Sequence, residues 1–148
     1  MYDNILVPTD GTPEARVGTE HALELAAAVG ATIHTLYVIK LPGAPRTVYI
    51  SSDEEEVRKE YRQYGEEVTE AACKMATRAG VDCQTAVRNG SIHEEIADYA
   101  EEEDIDLIVM GTGYRGRFGA IMGGTAEKIV RTAEVPVTTI RTRVNGHS

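Results

Sequence analysis

Five short apolar runs alternate with four stretches of helical spacing, and this alternation limits what the chain can fold into more than any single residue does. The runs lie within residues 3–10 and 31–39 and at Val81 to Val87, Ile105 to Met110 and Val135 to Ile140. Each is too short for a helix and is bounded by polar or turn residues, as a buried strand is. Between them, Ala15, Gly18, Ala22, Leu25, Ala26 and Val29 mark one helical face after Thr12-Pro13, a capping residue followed by proline in the favoured first turn, and Gly30 ends it. Val57, Tyr61, Tyr64, Val68, Ala71, Met75 and Ala79 step by fours and threes from Asp53 to Gly80, with Ser52 and Glu55 at capping-box spacing. Ser91 and Glu94 repeat that spacing ahead of Ile92, Ile96, Tyr99 and Ala100, and a fourth helix is expected around Thr125 to Thr132. Strand then helix, four times over and closed by a strand, predicts an α/β fold. A five-stranded parallel sheet forms through right-handed crossovers and carries helices on both faces.

Composition agrees with one such layered domain over residues 1–148, ending in a frayed tail at 142–148. Seven Tyr, one Phe and no Trp leave the core to Val, Ile, Leu and Ala. The net charge of −9 opposes phosphate backbones, so no nucleic-acid partner is expected. No run approaches a membrane span, and no charged segment with a following apolar stretch opens the chain, so no membrane partner and a cytoplasmic location are expected. Cys73 and Cys83 lack metal-site spacing and are too few for a disulfide framework; reduced, non-catalytic thiols are the expectation. Only four of 15 cations are Lys against 24 acids, a balance suited to the very salty cytoplasm of a halophile, where self-repulsion is screened.

The stretch from Gly111 to Thr125 is glycine-rich, bears Arg115 and Arg117, contains no acid, and joins a strand to a helix. Unpaired N–H groups and the positive end of a helix dipole make such a junction an anion site. Neither the Gly-Lys-Ser/Thr of a P-loop nor Gly-x-Gly-x-x-Gly after the first strand is present. In parallel sheets ligands bind beyond the carboxyl ends of the strands where strand order reverses. If the first and fourth strands are neighbours there, Asp10 and the Gly111 loop share one crevice; Asp10 also reads as a turn residue that caps the following helix. None of His21, His34, His93 and His147 has a nucleophile or carboxylate at triad spacing, and structural or surface roles are expected for them.

These residues resemble the universal stress protein family over essentially the whole chain. The resemblance is carried by Ile5-Leu6-Val7-Pro8-Thr9-Asp10-Gly11, by Glu20, His21, Ala22 and Leu25-Ala26, by Gly90 to Ile96, by Asp106 to Thr112, and by Val130-Arg131 with Val135-Pro136-Val137. It implies a Rossmann-like domain that binds ATP and acts as a homodimeric stress-response regulator or protectant through a further protein partner, with ATP hydrolysis slow at most. The family's nucleotide-binding branch carries Gly, two residues, Gly, nine residues, then Gly-Ser/Thr; Gly111 and Gly124-Thr125 match, and Tyr114 stands where the second glycine belongs. The resemblance implies Pro8, Thr9 and Asp10 beside the adenosine and the main chain of Val38 at the adenine. It puts Met110, Gly111, Gly124, Thr125 and Ala126 at the ribose and phosphates, with Mg²⁺ held through the triphosphate and no all-protein metal cage. It also implies a homodimer formed by antiparallel pairing of the last strand, Val135 to Ile140, with its symmetry mate. A second reading, favoured by Tyr114, is an interaction module of the same family without nucleotide. A nucleotide-transforming enzyme ranks last for want of a catalytic constellation.

Overall fold

The computed structural model describes residues 2–40, 52–112 and 116–142. Its elements are β1 (Asn4–Pro8), α1 (Pro13–Val29), β2 (Thr32–Ile39), α2 (Ser52–Arg78), β3 (Cys83–Asn89), α3 (Ile92–Glu102), β4 (Leu107–Thr112), α4 (Gly116–Thr132) and β5 (Val137–Arg141). The strands form one parallel sheet in the order β3-β2-β1-β4-β5. The chain therefore runs outward from β1 through β2 to β3, then crosses back to β4 and β5.

Alternate residues of the central strands feed two cores, as the twofold period of a strand requires. Ile5, Val7, Ile33, Leu107 and Val109 meet Ala22, Leu23 and Ala26 of α1 and Ala76 of α2 on one face. Leu6, Leu36, Ile108 and Met110 meet Ile96, Tyr99 and Ala100 of α3 and Ala126 and Ile129 of α4 on the other. The helices on the first face approach through small residues. In α1 the buried positions are Ala15, Gly18, Thr19, Ala22, Leu23 and Ala26, whereas Val29 is exposed. In α2 they are Gly65, Thr69, Ala72 and Ala76, whereas Val57, Tyr61, Tyr64, Ala71 and Ala79 are exposed. The expected stripe of α2 is thus off by about one residue, some 100° of rotation. A helix drawn close to a sheet buries its smallest residues, and its larger ones flank the contact.

Three helices end in one device. Ala31 N–H donates to the Ala26 carbonyl at 3.1 Å, Val81 N–H to Ala76 at 2.9 Å and Ile105 N–H to Ala100 at 2.9 Å. The residue before each donor is left-handed: Gly30 at φ 78°, Gly80 at 74° and Asp104 at 54°. This is a Schellman termination, in which the apolar residue past the end folds back onto the helix. Ala31, Val81 and Ile105 are accordingly buried.

Three expectations need correction. The fourth helix starts at Gly116 rather than near Thr125, so Gly123 and Gly124 lie within α4; Phe118, Met122, Ala126 and Ile129 keep helical steps of four, four and three across the glycines. Ser91 is the N-cap of α3 but makes no side-chain cap bond, because its Oγ instead meets His93 Nδ1 at 3.3 Å. Cys73 and Cys83 are bonded as a disulfide, not separate thiols, with Cα atoms 5.4 Å apart. The turn at Gly80 brings the end of α2 beside the start of β3, which spacing alone did not reveal, and the thiol-based ground for a reducing compartment falls with it.

Candidate functional site

Strand order reverses between β1 and β4, which pair directly at Ile5–Leu107 and Leu6–Ile108 while β2 lies on the other side of β1. A crevice opens there at the carboxyl end of the sheet. Pro8, Thr9, Asp10, Leu36, Val38, Ile92, Ile96, Met110, Gly111 and Thr125 line it.

Seven expected residues are brought together in this lining: Pro8, Thr9, Asp10, Val38, Met110, Gly111 and Thr125. The other two do not line it. Gly124 is exposed on α4, and Ala126 is buried beneath it. Tyr114, Gly113 and Arg115 lie outside the described residues. Sequence reasoning missed Leu36, Ile92 and Ile96. The signal was available, because Leu36 shares the face of Val38 in a strand and Ile92 and Ile96 sit one turn apart at the start of a helix. These side chains make the crevice wall apolar, with Thr9, Asp10 and Thr125 as its polar points. The crevice is open to solvent and small, with a volume of about 60 Å³.

The turn after β1 is tightly specified. Thr9 N–H donates to the Leu36 carbonyl at 2.9 Å, and Gly11 N–H to Thr9 Oγ1 at 3.3 Å. Asp10 Oδ1 accepts from the Thr12 N–H at 3.0 Å and from its hydroxyl at 2.6 Å. Thr12 Oγ1 then caps α1 by accepting from Ala15 N–H at 3.2 Å. One oxygen of Asp10 thus serves the turn, which realises the turn reading of this residue in the crevice wall itself.

Gly111 has a second reason for being glycine. A Cβ placed on it would collide with the carbonyl oxygen of Glu14, and one placed on Gly18 would lie 2.5 Å from Gly111 N. Helix α1 therefore rests backbone to backbone on the end of β4. The described positive-φ glycines are Gly11, Gly30, Gly80 and Gly90, so Gly111 is required by packing rather than by conformation.

A cavity of about 180 Å³ between α3 and α4 is larger, but it gathers none of the expected residues; Ile96, Ile129 and Val135 wall it, with Asp98, Glu101 and Glu134 among its polar residues. Among the described residues no three His, Cys, Asp or Glu side chains are grouped to hold a metal. His34 is buried in a structural role, between Tyr99 Oη at 2.8 Å and Asn4 Oδ1 at 3.0 Å. His21 is exposed, and His147 lies outside the described residues.

The model of the universal stress protein family matches residues 1–141. The chain belongs to the universal stress protein family. A universal stress protein of Methanothermobacter thermautotrophicus is 34% identical, over 96% of this chain and 97% of its own. The solved structure of a universal stress protein from Lactobacillus plantarum superposes with a TM-score of 0.82 at 26% identity, covering 95% of this chain and 98% of that one. A family member from Arabidopsis thaliana, solved with AMP bound, gives a TM-score of 0.71 at 19% identity over 96% and 93% of the two chains. At that identity the likeness is one of fold, and the parallel five-stranded architecture is the one these universal stress proteins share. No helix among the described residues is long and apolar enough to cross a membrane.

Proposed function

We propose that this universal stress protein binds an adenine nucleotide, ATP in the first instance, in the crevice between β1 and β4, and acts as a homodimeric regulator or protectant. The observation that carries this reading is the convergence of Pro8, Thr9, Asp10, Val38, Met110, Gly111 and Thr125, from four elements and the loop after β1, on one cleft at the strand reversal. The apolar walls from Leu36, Val38, Ile92, Ile96 and Met110 suit the faces of a purine, and Thr9, Asp10 and Thr125 offer polar contacts at its rim. The AMP held by the Arabidopsis thaliana relative supports the nucleoside part. Gly124 and Ala126 would then lie on the phosphate side of Thr125, with any Mg²⁺ carried by the triphosphate rather than by a protein cage. Nucleotide would serve as a signal rather than as a substrate: the Thr12 hydroxyl is spent on Asp10 in the turn and Ser91 meets His93 beside Ile92, neither of them among the residues that line the cleft as a pair. The second reading, an interaction module without nucleotide, has its support in Tyr114.

Gly124 provides the test. A Cβ there meets nothing within 4 Å, so Gly124→Asp adds negative charge beside Thr125 without a collision. Calorimetric titration of nucleotide-stripped protein with ATP and Mg²⁺ is expected to give binding by the wild type and a loss of roughly tenfold or more in the variant, from charge repulsion at short range. Equal affinities would remove Gly124 and Thr125 from the site, and no binding by either protein favours the interaction module.

A further inference from the structure

We propose that Tyr64 is a positioning residue for the ligand turn: from α2, on the face of the sheet opposite the crevice, it holds the Asp10-Gly11 segment in the shape that presents Asp10. The inference rests on the nucleotide reading and adds to it a residue outside the cleft.

Two contacts of its hydroxyl oxygen place Tyr64 there. Its hydroxyl donates to the Asp10 carbonyl at 3.4 Å, a long bond at the edge of the useful range. The same oxygen occupies the space where a side chain of residue 11 would begin, since a Cβ on Gly11 would collide with Tyr64 Oη and come within 3.1 Å of Val68 Cγ2. Gly11 has φ 83°, a left-handed conformation that any other side chain strains. The turn and Tyr64 therefore fit as a pair, with the glycine making room for the ring tip.

Tyr64 is itself set in place from below. Its ring meets that of Tyr37 edge to face, with centroids 5.6 Å apart and planes at 75°. A Cβ on Gly65 would lie 2.5 Å from Tyr37 Cδ2, so α2 comes down onto β2 at this point. Gly65 is buried and the residues from Val57 to Tyr64 are exposed. Tyr64 thus stands at the last turn before α2 enters the core, where its hydroxyl end reaches the turn and its body stays in partial contact with water. Burial, together with the neighbouring Tyr64 and Asp10, raises the Tyr37 pKa above the usual phenol value.

Tyr64→Phe keeps the ring and removes the oxygen. In the ligand-free protein, hydrogen exchange at the Gly11 and Thr12 amides, which close the turn, is expected to quicken severalfold while exchange in the strands stays unchanged. AMP and ATP affinities are expected to fall roughly two- to threefold, the low end of a hydrogen bond's worth for so long a contact, with little change in melting temperature. Gly11→Ala should lose more, and Gly11→Ala with Tyr64→Phe should bind better than Gly11→Ala alone, because the colliding oxygen is gone; a residue with only a general structural role would give additive losses. Unchanged exchange and affinity in Tyr64→Phe, beside a wild type that binds, overturn the role of Tyr64 alone. A wild type that binds no nucleotide overturns the nucleotide reading and the part of Tyr64 in it.

Discussion

His34 shows what a single residue contributes beneath the crevice. Its Nε2 faces Asn4 Oδ1, an acceptor, so that nitrogen carries the proton and Nδ1 accepts from the Tyr99 hydroxyl. Burial lowers the His34 pKa below 6.5, opposed in part by the charge of Glu103, while burial first and Glu103 second push Tyr99 up to about 12. Tyr99 therefore stays protonated and able to donate. The unfolded chain takes up the histidine proton as pH falls through 6.5, before the folded chain does. This contribution to stability is complete above pH 6.5, declines below it, and levels off once the folded pKa is passed. Denaturant midpoints measured from pH 7.5 to 5 should fall in the wild type and fall less steeply in His34→Gln, which removes the titration and keeps a hydrogen-bonding side chain; parallel slopes would show that other groups carry the pH dependence. The sequence placed His34 in a strand with a structural or surface role. It could not name Tyr99 as the partner, because that contact spans 65 residues.

At the scale of elements, strand and helix identity was legible throughout, and the misreadings cluster at ends. The third, fourth and fifth strands were expected to begin at Val81, Ile105 and Val135, two residues before β3, β4 and β5 begin. Val81 and Ile105 are apolar because they seal the ends of α2 and α3, a role that looks identical to a strand's first residue when only periodicity is read. Asp104 hid the device further, since an acidic residue in a left-handed cap reads as solvated helix end. The stripe on α2 was misjudged because periodicity rewards large apolar residues, whereas close approach of helix to sheet selects Gly65, Thr69, Ala72 and Ala76. The disulfide belongs to this scale, since it ties the last turns of α2 to the first residue of the edge strand β3. The chain-entropy account assigns a closed loop of this length about 3 kcal/mol. Reduction by a dithiol, or Cys73→Ser, is expected to lower the melting temperature by several degrees; coincident melting curves with and without reductant would show that the bond adds nothing to stability.

The whole molecule is a sheet with two ends, β3 and β5. The first is fastened by the disulfide and by Arg88, whose guanidinium lies 4.9 Å from the Tyr99 ring centroid and pairs with Glu102 at 2.5 Å and Glu95 at 3.7 Å. The second carries the proposed dimer contact. Ile108 N–H bonds the Pro136 carbonyl and Thr142 N–H bonds the Thr112 carbonyl, so even-numbered residues of this segment turn their polar groups toward β4 and odd-numbered ones turn theirs outward. Thr139→Pro removes an outward N–H and no bond to β4. Sedimentation equilibrium should find a dimer in the wild type and a monomer in Thr139→Pro, and a dimer in both would move the interface elsewhere. The crevice itself was legible because it follows from strand order and a few loop residues. The proposed phosphate side was less so, since glycines that read as a loop can equally be carried inside α4. The backbone contact between Gly18 and Gly111 bears on how such chains are surveyed. A chain of this fold that binds no nucleotide would still need glycine at 111 to seat α1 on β4, so that glycine diagnoses the architecture and is silent on the ligand.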